Sequence, residues 1–152
     1  MNWQAVEATG TIAGALLAAG TLMWGFHGVK SQMWLATFAD FTKRYADIVD
    51  RLPSEMRVPG DFVLHGLSRE EKDKVFGALR RYFNLCSEEH YLAQRRILDS
   101  QTWKIWTTGI QDALRNSGFK DAWKLLRVEY EYYPAFCAFM DELVAQTKVT
   151  QS

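Results

Sequence analysis

Hydrophobic positions follow two different patterns along this chain. Residues 8–29, ATGTIAGALLAAGTLMWGFHGV, hold no Asp, Glu, Lys or Arg across 22 positions, and the run stops at Lys30. Beyond it the large apolar residues recur every three or four positions. As a helix the first run reaches ~33 Å, enough for a ~30 Å hydrocarbon core. Trp3 and Trp24 lie 21 residues apart, at the separation of two interfacial aromatic belts. Lys30, Lys43, Arg44 and Arg51 follow the run, whereas Glu7 is the one charged side chain before it. The positive-inside rule then predicts an outside N-terminus and a cytoplasmic C-terminal side. Two other readings compete. A signal peptide would want a positive n-region, and no Lys or Arg precedes the apolar core. The central helix of a soluble bundle fits the abundance of Gly, Ala and Thr among only eight large apolar residues.

The small residues have a pattern of their own. Gly10 and Gly14 form a GxxxG pair, and Ala15/Ala19 and Thr21/Gly25 repeat the spacing that lets helices approach closely in lipid. From Ser31 to Leu52 there is neither Gly nor Pro. Trp34, Phe38, Phe41, Tyr45, Ile48 and Leu52 follow in steps of 4, 3, 4, 3 and 4, a coiled-coil or bundle seam with a period of about 3.5 residues. Counted backwards, the register passes through His27, Trp24, Leu17 and Gly10. The candidate helix–helix interface is therefore Gly10, Gly14, Leu17, Trp24, His27, Trp34, Phe38, Phe41 and Tyr45. The same seam is also what packing on the chain's own domain would produce. An ionisable His27 within such a span is a candidate functional group. It has no second ionisable residue in the run to make a transport path.

Further along, Pro53 closes the helix, and LPSEMRVPGDFVLHG reads as a loop with Pro59-Gly60 as its turn. Ser68 and Glu71 make a capping box that starts the next helix, expected to run to about Arg96 with Val75, Leu79, Tyr82, Phe83 and Cys86 on one face. Asp99 or Ser100 caps a third, with Trp103, Trp106, Ile110 and Leu114 as its stripe. Asn116-Ser117-Gly118 reads as the stop of that helix. Phe119, Trp123, Leu126 and Tyr130 line a fourth, and Pro134 opens a fifth with Phe136, Cys137, Met140 and Val144 facing in. Only DFVLHG is even a candidate strand. The tail QTKVTQS is polar and expected to fray.

Charge and cysteine content narrow the possibilities. All 18 Lys and Arg lie at or after Lys30 and are balanced by 18 Asp and Glu, so nothing argues for general nucleic-acid binding. Cys86 and Cys137 sit in apolar helical contexts as buried free thiols do, which favours a reducing compartment. The densest polar stretch is RRYFNLCSEEH, where Arg80, Asn84 and Glu88 stack on one helix face. Glu88, Glu89 and His90 lack the converging Glu-x-x-His pairs of a di-iron bundle, and His90 reads as a hydrogen-bonded core histidine. No phosphate-loop, dinucleotide or nucleophile-elbow motif is present. A Cys86–His90 thiolate pair, at i and i+4, has no orienting third group. YEYYP at 130–134 reads either as an aromatic contact surface or as core packing before a helix.

With its anchor-like run, stalk, RRYFNLCSEEHYL, LDSQTWKIWTTGI and YPAFCAFMDEL, the chain resembles small bacterial membrane-anchored helical proteins of unknown function. In these a YFN-type helix precedes a D-x-x-x-W-x-x-W-like segment. That resemblance implies a bacterial inner-membrane location and no catalytic residue. The expectation is an all-α protein: a single transmembrane anchor at 1–30, a stalk helix at 31–52, a cytoplasmic helical bundle at 53–147 and a disordered tail at 148–152. Its expected partners are the lipid bilayer and a protein partner or further copies of itself, with no metal or cofactor. A small oligomeric membrane subunit that gates or perturbs the bilayer through residues 10–29 is the alternative.

Overall fold

The computed structural model describes residues 35–149, and the chain divides into two compact units, residues 1–42 and 43–152. The anchor at 1–30 and the interface candidates Gly10, Gly14, Leu17, Trp24, His27 and Trp34 lie outside the described residues. Of the first unit, residues 35–42 are helical, with Phe41 buried and Phe38 exposed.

The second unit is all-α among its described residues. Residues 43–49 are helical (α1), followed by α2 (Arg69–Gln94), α3 (Ser100–Ala113), α4 (Ser117–Leu126) and α5 (Pro134–Val149). Short 3-10 turns at Ser54–Arg57, Leu64–Gly66 and Arg127–Tyr130 lie between them. DFVLHG enters the second of these turns rather than a strand. Helix α2 is the centre of the unit, in contact with α3, α4 and α5.

The capping chemistry falls largely where the sequence places it. Ser68 and Glu71 close a reciprocal capping box, with the Glu71 carboxylate accepting from the Ser68 N–H at 2.9 Å. Asp99 caps α3 by accepting from Gln101 and Thr102 N–H at 3.0 and 2.9 Å. Helix α2 ends without glycine. The Ile97 and Arg96 amides donate to the Leu92 and Ala93 carbonyls at 3.0 and 2.9 Å, a Schellman closure. It requires Arg96 at φ 55°, a left-handed conformation that crowds a Cβ.

One local expectation is corrected. Asn116-Ser117-Gly118 does not terminate α3, which ends at Ala113; it begins α4. Asn116 is the N-cap, its Oδ1 accepting from Gly118 N–H at 2.9 Å, while its Nδ2 donates to the Glu55 and Val58 carbonyls at 2.8 and 2.9 Å. With 1% exposure it is almost wholly buried, so one carboxamide starts a helix and pins the 53–60 loop to it. Gly118 lies close under the same loop: a Cβ there would stand 2.9 Å from Met56 Cε and 3.0 Å from Phe62 Cδ1, so both side chains would have to shift.

The expected stripes of α4 and α5 are buried as read: Phe119, Trp123, Leu126 and Tyr130, then Phe136, Cys137, Met140 and Val144. On α3 Ile110 and Leu114 are buried, but Trp103 and Trp106 are only half covered. On the seam through α1, Ile48 and Leu52 are buried and Tyr45 is 46% exposed. Helix α5 runs through Val149, so the polar tail is helical as far as that residue, with Thr147 buried.

Two stability outcomes follow from these end structures. Asn116→Ala leaves two part-buried carbonyls and an amide without partners, and is expected to cost about 2–3 kcal/mol, with Asn116→Asp costing at least as much, because its second carboxylate oxygen is buried against the same two carbonyls. Arg96→Gly relieves the left-handed strain and is expected to add about 1 kcal/mol. Urea midpoints at constant m-value measure both.

Candidate functional site

The stacked trio Arg80, Asn84 and Glu88 is on one face of α2, but its members do not converge on a common centre. Two of them reach the Arg127–Tyr130 turn and the third reaches α1. The Arg80 Nε donates to both Glu129 carboxylate oxygens at 2.9 Å. The Asn84 Oδ1 accepts from the Tyr130 hydroxyl at 2.9 Å. The Glu88 carboxylate takes a two-pronged pair from Arg44 at 2.7 and 2.8 Å, fastening α1 to α2. Arg80's proton is held more tightly than usual, chiefly by the Glu129 hydrogen bond. All three contacts are partly solvated, where exposed ion pairs contribute about 0–1 kcal/mol each. The trio acts as three struts. Around Glu88 and Asn84, with Arg81 and Arg51, lies an open polar groove of about 300 Å³.

The side of α2 that faces inward carries the unusual electrostatics. Glu89 is 8% exposed, and burial pushes its carboxyl up to about 8, with Arg44 opposing the rise and Glu88 adding to it. The Arg44 guanidinium hydrogen-bonds Glu88 and offsets only part of the rise at Glu89. Sequence spacing missed this residue because Glu88 and Glu89 are equivalent in composition. Only the packing decides which of them turns in.

Cys86 is fully enclosed, and burial followed by the nearby Glu89 charge raises its thiol well above the ordinary value. It is a neutral thiol, unsuited to nucleophilic attack. Cys137 is likewise free and buried, and its thiol donates to the Tyr130 carbonyl at 3.3 Å.

His90 is buried and hydrogen-bonded, as the sequence indicates. Its Nδ1 lies 2.8 Å from the Tyr133 hydroxyl, and its ring sits among Trp103, Phe136 and Phe139 at centroid distances of 5.9, 5.9 and 4.9 Å. Burial lowers its basicity, so it is a neutral aromatic-core member, directed to Tyr133 and not to Cys86. Among the described residues, no group of three or more His, Cys, Asp or Glu is placed to hold a metal ion.

The aromatic segment 130–134 divides. Tyr130 is core, packed against Trp123 and Phe136 at 5.6 Å each. Tyr133 serves His90. Tyr132 is 76% exposed with its ring stacked on that of Tyr130 at 6.4 Å, and Leu125 and Val128 are exposed at 62% and 64%. Leu125 also lines a shallow, mostly apolar groove of about 460 Å³ with Leu64 and Phe76, with Lys72, Lys124 and His65 among its lining residues. These side chains carry no chemistry-bearing motif, so the sequence offered only the ambiguous YEYYP as a hint.

Burial of Glu89 has a measurable consequence. Its folded pKa, about 8, exceeds the unfolded value of 4.5, so between those limits the folded state holds a proton that the unfolded state has lost. Stability is full below the unfolded pKa and falls as pH rises through the window, by up to about 1.4 kcal/mol per unit. Melting temperature is expected to drop from pH 5 to pH 8.5, and Glu89→Gln, which keeps the shape without the charge, is expected to flatten that slope and exceed the parent at pH 8.5.

No known protein-family model, curated protein or solved structure matches this chain.

Proposed function

We propose that this chain is a non-enzymatic, single-pass protein of the bacterial inner membrane. Residues 8–29 tether it, with the N-terminal side outside. The helical domain on the cytoplasmic side recruits a protein partner or further copies of the chain. The observation that carries this reading is the uncharged run of 22 residues, with Trp3 before it and Trp24 near its end, followed by Lys30, Lys43, Arg44 and Arg51. A run of that length and composition suits a hydrocarbon core, and the basic residues after it suit the cytoplasmic side. Among the described residues, no helix is long and apolar enough to cross a membrane, and residues 8–29 lie outside them.

What tethering does is physical. Confinement to a surface raises the effective concentration of two modules by orders of magnitude without any new contact. The domain's part is to present side chains for docking, and Leu125, Val128 and Tyr132 are among its exposed apolar side chains. The GxxxG pair Gly10/Gly14 favours a second reading, in which the span itself oligomerises and gates or perturbs the bilayer.

Carbonate extraction of membranes, with protease access to each terminus, tests the tether. The expected result is a carbonate-resistant chain whose C-terminal domain is protected inside intact cells. Recovery as a soluble monomer overturns both membrane readings. Deleting residues 1–30 then separates them: partner binding by the remaining domain persists under tethering and activity disappears if it resides in the span.

A further inference from the structure

We propose that the polar groove between α1 and α2 is a binding site for a phosphodiester monoanion, held between the guanidinium groups of Arg51 and Arg81. This site goes beyond membrane tethering and does not depend on it.

The groove encloses about 300 Å³ and opens to solvent. At one end Arg44 and Glu88 close it with their two-pronged pair at 2.7 and 2.8 Å, one guanidinium fork serving both oxygens of one carboxylate. Seven residues back along α2 from Glu88, roughly 10 Å at helical rise, Arg81 lines the same groove. Arg51 lines it from the turn that follows α1, where its amide donates to the Ile48 carbonyl at 3.1 Å. No carboxylate answers these two arginines as Glu88 answers Arg44.

Their donors are uncommitted. Arg81 makes no hydrogen bond or ion pair among the described residues. Arg51 spends only its Nε, on the Asp47 backbone carbonyl at 3.2 Å, which leaves both terminal nitrogens. Asn84 accepts from Tyr130 through Oδ1 and keeps its Nδ2 hydrogens to give. Asp47 is the one lining carboxylate outside the Arg44–Glu88 pair, and it reaches neither Arg51 nor Arg81 with an ion pair. Arg44, Arg51 and Arg81 against Asp47 and Glu88 leave the lining with one positive charge in excess.

Geometry and charge together select the ligand. One fork satisfies a carboxylate, as Arg44 does for Glu88. Two forks and an amide suit a group with more oxygens around one centre, which is a phosphate. The single excess charge sets its state. A diester carries one negative charge and balances the lining, whereas a monoester dianion leaves one charge unmatched beside Asp47. Arg51 and Arg81, lining one groove, repel each other, and an anion between them removes that cost. A phospholipid headgroup and a soluble glycerophosphodiester share this chemistry. A nucleic-acid backbone finds no further cationic track, because the chain's charges balance.

Titration calorimetry on the full chain in uncharged detergent micelles tests the site. The probes are glycerophosphoglycerol, a soluble diester, and short-chain phosphatidylglycerol added to the micelles, with acetate as the carboxylate control. Saturable binding of a phosphodiester is expected, about tenfold tighter than acetate. Arg51→Ala and Arg81→Ala are each expected to weaken it about fivefold, and Arg81→Lys, which keeps the charge and loses the fork, about twofold. Asp47→Asn, which removes the opposing charge, is expected to tighten it about twofold. Both arginines are exposed, so an unchanged melting temperature shows that their variants are folded. Lys104→Ala, at an exposed cation on α3 outside the groove, is expected to change nothing. Binding of the soluble diester with this arginine dependence assigns the groove to a free ligand, and the same dependence for the lipid alone assigns it to a headgroup. Absence of saturable binding by both probes overturns the inference. So does acetate binding as tightly, or a loss with Lys104→Ala equal to that with Arg81→Ala, the mark of diffuse surface charge. Failure here leaves tethering standing, and recovery of the chain as a soluble monomer leaves the groove standing.

Discussion

Enclosing the middle of α2 on nearly its whole circumference is the constraint from which the rest of the domain follows. Between Tyr82 and His90 only Asn84 and Glu88 are exposed. Everything else on that stretch must be apolar or must find a neutral, satisfied state in the interior. Tyr82 and Phe83 meet this by packing on Phe119 and Trp123 at 4.9 and 5.2 Å. Cys86 remains a neutral thiol, and His90 remains a neutral ring held by Tyr133. Glu89 is the one member of this stretch that resists, and its raised pKa expresses the conflict between a helix position that packing turns inward and a side chain that prefers water.

The same constraint explains why the outward polar ladder of α2 ties elements together and forms no catalytic centre. With α3, α4 and α5 all leaning on one helix, the gaps between them are bridged from α2: Arg80 and Asn84 reach the Arg127–Tyr130 turn, and Glu88 reaches α1. Away from α2 the domain uses a different device. Trp123 donates its indole N–H to Asp141 at 2.9 Å, and Asp141 also receives Arg127 at 2.9 Å, so the end of α4 is locked to α5. That lock holds the following 3-10 turn in place, with Tyr130 packed into the core from it.

Most helix positions were legible before any coordinates. The Ser68/Glu71 box, Asp99, Pro134 and the spacing of Phe119, Trp123, Leu126 and Tyr130 are local signals, because a cap or a 3.6-residue stripe is satisfied by its own neighbours in sequence. Asn116-Ser117-Gly118 was misread because its chemistry serves a helix end and a helix start equally well. The deciding partners are the carbonyls of Glu55 and Val58, some sixty residues away. Arg96 gave no sign of its left-handed conformation, since the closure of α2 is made by backbone groups that any residue carries.

The sequence by itself determined that the chain is helical, where most of its helices begin, which faces are largely apolar, and that an uncharged run of membrane length precedes the domain. Each of these depends on interactions between residues a few positions apart. Tertiary structure alone decided which of two adjacent glutamates loses water, that the Arg80–Asn84–Glu88 face is divided among three partners, and that Tyr130, Tyr132 and Tyr133 take three different environments. Those outcomes depend on which distant surfaces meet, and periodicity along one helix carries no information about what will be laid against it.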